Sequence, residues 1–251
     1  MESGCCPPES FRMLDAAGTL DDLKSFSLRI FQPQRGYRYS LDPLLLARFS
    51  PSVAGEGRIA DLGAGCGIIG LVLARVNPLA HVTAIENNPE MALIAGRNAE
   101  HNGLSDRVTV LADDVLNLRS HFADSLFDLV VCNPPFRAPH SGRISPRAGR
   151  DSARHETTAC LADFLGSAKY LVKPSGRICF IQLPSRLHEF MSIAAEMKLS
   201  VLRLRMVHNN AASPAAMFMA ELAKGRRASP VVEAPLFVRD MNGDYTDEVW
   251  R

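Results

Sequence analysis

RIADLGAGCGIIGLVLARV, residues 58–76, passes from a short apolar strand (58–62) through a glycine-rich turn into an apolar helix (66–76). A strand feeding a glycine turn and then a helix is the context of a nucleotide-type cofactor loop. Glycine lets such a turn close tightly and lets a ligand approach the backbone. Two patterns fit the letters. Gly65-x-Gly67-x-x-Gly70 satisfies the dinucleotide fingerprint. Asp61-x-Gly63-x-Gly65-x-Gly67 instead sets an acid just before the first glycine. A carboxylate there repels a pyrophosphate but offers the amino end of a methionine moiety a charge-assisted hydrogen bond. This second pattern makes Asp61, Gly63, Ala64, Gly65 and Gly67 candidate cofactor contacts.

On either side the chain alternates between strand and helix. Residues 27–34 (SLRIFQPQ) suggest a short strand after a polar lead-in, residues 1–25. Residues 36–49 (GYRYSLDPLLLARF) turn into a helix with Asp42 as N-cap and Pro43 at its first position. Residues 80–85 form a second strand, and Asn88 caps a helix that begins with Pro89 and stops at Asn102-Gly103. Strands follow at 107–111, 127–132 and 177–183, with helices at 157–171 and 185–198. Such alternation predicts an α/β fold with a doubly wound, mostly parallel sheet covered on both faces. Residues 201–207 and 216–222 are two strands with only the short link 209–214 between them, so the chain is expected to close its sheet with an antiparallel hairpin. An all-parallel dinucleotide dehydrogenase does not finish this way. The Asn242-Gly243 turn within residues 230–248 predicts a further small edge hairpin.

Three further constellations carry chemistry. Glu86, followed by Asn87, ends the second strand of this α/β series, where a carboxylate can accept both ribose hydroxyls of an adenosine. Asp113-Asp114 follows the third; one of them can accept from an adenine amino group, or simply cap the next turn, and Asp114 is the better placed because it precedes apolar residues. Asn133-Pro134-Pro135-Phe136 ends the fourth, at the edge where open α/β sheets bind ligands. The Asn133 side-chain oxygen and the Pro134 carbonyl can each take one hydrogen of a flat amine and free its lone pair for attack. Proline fixes the backbone and brings no competing N–H. Phe136 can stack on the target ring, worth about 1–3 kcal/mol. Pro135 lies beside it as a substrate contact.

Composition narrows the setting. The 28 basic and 27 acidic residues nearly cancel, so contact with nucleic acid must come from a local patch. Residues 137–156 supply one: Arg137, Arg143, Arg147, Arg150 and Arg154 against Asp151 and Glu156. Placed beside the target site, this loop can clamp phosphates, although a solvated loop balancing nearby acids reads the same. Arg203 and Arg205 alternate with apolar residues and extend the patch on one reading. The six cysteines show no metal or disulfide spacing, which suits packed thiols in a reducing cytoplasm. No apolar run has the length of a membrane span, and no metal site is expected.

Taken together, these motifs resemble class I amino-methyltransferases with an Asn-Pro-Pro-aromatic motif. The chain is similar, from about residue 31 to 245, to the bacterial tRNA1(Val) adenine-37 N6-methyltransferase family. The resemblance implies a Rossmann-like, seven-stranded sheet, S-adenosyl-L-methionine as cofactor and an unpaired adenine of a tRNA anticodon loop as target. By the same similarity Ser40 and Asp42 lie near the methionine end of the cofactor. Arg147 and the run Ala153-Arg154-His155-Glu156 match the basic stretch that this family carries after its motif. Three other readings remain open: a glutamine N5-methyltransferase acting on a release factor, an NAD-dependent oxidoreductase, and an RNA-binding module without activity.

Overall fold

Alternate residues of the central strands feed two different cores. Along β3 (Arg58–Leu62), Ile59 packs on one side of the sheet and Ala60 and Leu62 on the other. Along β6 (Phe127–Cys132), Leu129 and Val131 go one way and Val130 and Cys132 the other. A strand buried on both faces reads as a continuous apolar run because each face has its own helical layer. The computed structural model describes residues 18–33, 40–135, 159–225 and 229–250. One layer contains α1 (Asp42–Phe49), α2 (Ile68–Val76) and α3 (Pro89–His101). The other contains α4 (Leu161–Leu171) and α5 (Leu187–Glu196). In the second layer Phe190 meets Phe180 and Phe218 edge to face, with centroids 5.5 and 5.3 Å apart. Such pairs add about 0.5–1.5 kcal/mol each beyond their burial.

The remaining strands of the main sheet are β4 (His81–Glu86), β5 (Val108–Ala112), β7 (Val172–Gln182), β8 (Leu199–His208) and β9 (Ala215–Lys224), with β10 (Val231–Val232) and β11 (Leu236–Phe237) at one edge. Their order is β10-β8-β9-β7-β6-β3-β4-β5, with β11 also on β8. All neighbours run parallel except β9, which lies antiparallel to both β7 and β8. The expected α/β fold and closing hairpin are therefore present. After β3 the chain winds outward through β4 and β5, and β6 then lies on the other side of β3. The order reverses between β3 and β6, and such a switch point opens a crevice at the carboxyl ends of the two strands.

Several boundaries differ from expectation. Among the described residues nine strands make up the main sheet instead of seven. Residues 18–23, read from sequence as part of a lead-in, form β1 (Gly18–Leu23), which pairs antiparallel with β2 (Leu28–Pro33) as a separate ribbon. Its strand pattern is hidden because most of its side chains are exposed or half-buried, so polar residues suffice. Residues 230–248 do not form a hairpin in which neighbouring strands pair. β10 and β11 each lie parallel to β8, and the Asn242-Gly243 turn closes only a bridge between Arg239 and Tyr245, ahead of α6 (Asp247–Trp250). Leu41, not Asp42, is the N-cap of α1; Asp42 is already helical and accepts from Ser40 Oγ at 2.6 Å. Asn88 caps α3 as expected, taking the Glu90 and Met91 N–H groups. Among the described residues no helix is long and apolar enough to cross a membrane.

Candidate functional site

Leu62 and Cys132 end β3 and β6, and Ile85, one residue before the end of β4, lies at the same level: Leu62 is the register partner of both Ile85 and Cys132. The glycine loop after Leu62, the acidic turn after Ile85 and the Asn133-Pro134-Pro135 exit after Cys132 therefore leave the sheet side by side. They share one cavity of about 370 Å³, within the range of small-molecule sites. Gly63, Ala64, Gly65, Glu86, Asn87, Asp114, Asn133, Pro134 and Pro135, all singled out in the sequence, line it.

The loop is held by the backbone of its neighbours. Gly63 N–H and Ala64 N–H both donate to Ile85 O at 2.9 Å. Gly63 has φ +71° and lies against the Phe164 ring, while Gly67 has φ +83° and lies so close to Ala95 that a Cβ would sit 3.1 Å from the Ala95 Cβ. Both positions take the left-handed region, and a Cβ at either would crowd its neighbour. Glu86 draws the two turns together: its Oε2 accepts from Gly65 N–H at 2.7 Å and its Oε1 from Asn88 N–H at 2.9 Å. Each oxygen keeps a second lone pair for a ligand.

Asp61, Gly67, Asp113, Ser40 and Asp42 are not among the lining residues. Asp61 is fully buried, and its Oδ2 accepts from Gly70 N–H at 2.9 Å, while Oδ1 has no partner among the described residues. Burial pushes its carboxyl up to about 7, the Gly70 N–H opposes this, and the charge of Glu86 adds to it. Through Oδ2 it underpins the start of α2, and it is not itself a lining residue. Gly67 is the N-cap of α2. Asp113 turns outward to Asn117 and His121, and those hydrogen bonds, Asn117 first, hold its carboxyl below the usual range. Of the acidic pair, Asp114 lines the cavity, and it also accepts from Leu116 N–H as the cap of a 3-10 turn, so the capping reading is observed. Ser40 and Asp42 bond each other; burial raises the Asp42 carboxyl against the opposing Ser40 bond.

Burial pushes the Cys66 thiol up to about 12 and the Cys132 thiol well above its ordinary value, so neither offers a thiolate. Arg203 and Arg205 do not extend a phosphate patch. Arg203 is spent on Glu221, Glu233 and Phe49 O, and Arg205 on Glu248 and Ala234 O. Phe136, Arg137, Arg147 and Arg154, with the rest of loop 137–156, lie outside the described residues. Sequence reasoning missed Pro43, Met91, Val115 and Phe164 as lining residues. Val115 could have been found from its place directly after Asp114. Phe164 follows the same helical period as the core residues Leu161, Leu165 and Ala168, so nothing local distinguishes it.

The methyltransferase small domain family matches residues 42–186, more than half of the chain, from α1 past the end of β7 and across every cavity turn described above. The chain belongs to that family. This methyltransferase small domain is 38% identical over 146 residues to a tRNA1(Val) (adenine(37)-N6)-methyltransferase of Porphyromonas gingivalis, a match covering 57% of this chain and 56% of that one. It therefore spans little more than half the length of that relative. Against the protein of the same description in Shewanella loihica it is 28% identical over 218 residues, covering 84% of this chain and 88% of that one. Among solved structures it is similar to a predicted O-methyltransferase of Agrobacterium tumefaciens, with TM-score 0.66 and 25% identity over 83% of this chain and 94% of that chain.

Proposed function

We propose that this chain methylates the N6 amino nitrogen of an adenine in a tRNA anticodon loop, using S-adenosyl-L-methionine. The observation that carries the reading is that Asn133 and Pro134 line the same cavity as the glycine loop and Glu86. The residues fit the cofactor. Glu86 keeps free lone pairs for ribose hydroxyls, Asp114 lines the same cavity as the apolar Ile85, Val115 and Phe164, and the buried Asp61 lacks a donor on Oδ1. When bound, the cofactor supplies a methyl group on a sulfonium sulfur, a strong electrophile.

The chain's own task is the nucleophile. An adenine amino group is poorly nucleophilic because its lone pair is delocalised into the ring. The Asn133 side-chain oxygen and the Pro134 carbonyl oxygen each accept one of its hydrogens, which favours a tetrahedral nitrogen with its lone pair free. Positioning the two reactants lowers the remaining barrier. The nitrogen gives up its proton to water after transfer, so no strong base is needed. An oxygen nucleophile would need one; the two carboxylates lining the cavity, Glu86 and Asp114, already accept backbone N–H groups. An anticodon-loop adenine is unpaired and cheap to extrude, and loop 137–156 supplies arginines for the flanking phosphates. A tRNA target sets the activity in the cytoplasm.

The test is nucleoside mass spectrometry after incubating purified protein and S-adenosyl-L-methionine with unmodified tRNA, and in parallel with a release factor. N6-methyladenosine in tRNA supports the reading. Methyl transfer to a glutamine of the protein substrate alone replaces it with amide methylation. Thermal stabilisation by NAD and not by S-adenosylhomocysteine would restore the oxidoreductase.

A further inference from the structure

Asn98 on α3 and Asn102 at its C-cap, one helical turn apart, act together as the missing neighbour strand of β2. Phe31 N–H donates to Asn98 Oδ1 at 2.7 Å, and Asn98 Nδ2 donates to Phe31 O at 3.0 Å. Arg29 N–H donates to Asn102 Oδ1 at 2.9 Å, and Asn102 Nδ2 donates to Arg29 O at 2.8 Å. The match is geometric. Four residues of helix rise about 6 Å and two residues of strand about 6.7 Å, so amides at i and i+4 meet backbone groups at j and j+2.

The two amides differ in their last hydrogen. Asn102 Nδ2 gives it to Asn98 O in its own helix, at 2.7 Å. Asn98 Nδ2 gives it to Cys66 O in the glycine loop, at 2.9 Å. Asn98 is fully buried, so each of these bonds is made away from water. One side chain thus fixes both the ribbon and the cofactor loop. We propose that Asn98 is a positioning residue for the cofactor, its amide coupling the shape of the loop at Cys66 to the seating of β2, while Asn102 seats β2 alone. The inference rests on the proposed binding of S-adenosyl-L-methionine to that loop. A group bonded to both sites is a direct carrier of such coupling, and the Asn98 amide, with both hydrogens committed, is one.

Asn102→Ala is the matched control, since it strips the same pair of bonds from the strand without touching the loop. Calorimetry with S-adenosyl-L-methionine should show Asn98→Ala weakening binding about tenfold and Asn102→Ala no more than about twofold, as expected when a buried carbonyl of the loop loses its donor. The KM for the cofactor should rise likewise while kcat at saturating cofactor stays within about twofold. Equal weakening by both variants would overturn the proposal, leaving only a structural role. Hydrogen exchange on the wild-type chain decides the point even if Asn98→Ala does not fold. S-adenosylhomocysteine should slow exchange of the Phe31 amide more than that of Arg29, and an unchanged Phe31 amide would overturn the coupling. A wild-type chain that binds neither compound would overturn the proposed function itself, and this inference with it.

Discussion

Glu86 holds Gly65: its Oε2 accepts the Gly65 N–H at 2.7 Å, across the gap between the first two turns of the site. The carboxylate proposed for the cofactor ribose also shapes the loop proposed to carry the cofactor. Its other oxygen takes the Asn88 N–H at the start of α3, so one side chain ties three segments together.

Glu86→Ala should therefore cost more than a single ligand contact. Hydrogen bonds to a charged group contribute about 1.5–3 kcal/mol, so a rise of about 10- to 100-fold in the S-adenosylhomocysteine Kd is expected. Isothermal calorimetry measures it, and a Kd within a factor of about two of wild type would remove Glu86 from the site.

Asn133→Ala should separate chemistry from cofactor binding. Removing one acceptor of the amine is expected to lower kcat about 10²- to 10³-fold, by analogy with the loss of one preorganised hydrogen bond in other active sites. The Kd for S-adenosylhomocysteine should barely move. Retained turnover in single-turnover assays with tRNA would end the assignment of this residue.

Asp61 makes the site sensitive to pH. Its carboxyl, pushed up to about 7 by burial, is largely protonated at pH 6. A bound cation favours the ionised form, so cofactor binding releases a proton, and affinity should rise as pH increases through about 7 and then level off. In the ligand-free chain the sign is opposite. The folded state holds a proton that the unfolded state has lost between about pH 4 and 7, so stability falls as pH rises across that window. Asp61→Asn should flatten both profiles, measured by calorimetry and by denaturant midpoints at each pH.

Glu221 lies between two arginines, bonding Arg177 at 3.0 Å and Arg203 at 2.6 Å, with only 8% of its side chain exposed. Glu221→Ala leaves two half-buried guanidinium groups without it and should destabilise by about 3 kcal/mol in chemical denaturation. Arg203→Ala should also destabilise, yet leave the salt dependence of tRNA binding unchanged, because its guanidinium is committed inside the fold. A shallower salt slope would return it to the RNA surface.

The glycine loop and the Asn133-Pro134 exit were legible in the sequence because they follow a local rule: an apolar strand, an abrupt break, then glycine or proline. The alternation of strands and helices likewise predicted the doubly wound sheet, and the strand order then shows the switch point that brings them together. Asn98 was not legible. Its partners Phe31 and Cys66 lie 67 and 32 residues away, and within α3 it looks like any polar helical residue. Arg203 was misread for a related reason. Period-two patterning assigns a residue to a face of the sheet but does not say what the opposite strand carries, and β9 carries Glu221 beside it. β1 escaped notice because a ribbon with one side in water needs no apolar alternation, and Thr19, Asp21 and Asp22 satisfy it.

β8 runs for ten residues on the outer side of the closing hairpin, where a bare row of backbone donors and acceptors would invite another chain to add itself. β10 covers Arg203 and Leu204, and β11 covers Val207 and His208. Two dipeptides thus act as stoppers against intermolecular strand addition. Shortening the tail after β9 should turn a covered edge into a sticky one, and resistance to aggregation would be lost well before the reaction chemistry was touched.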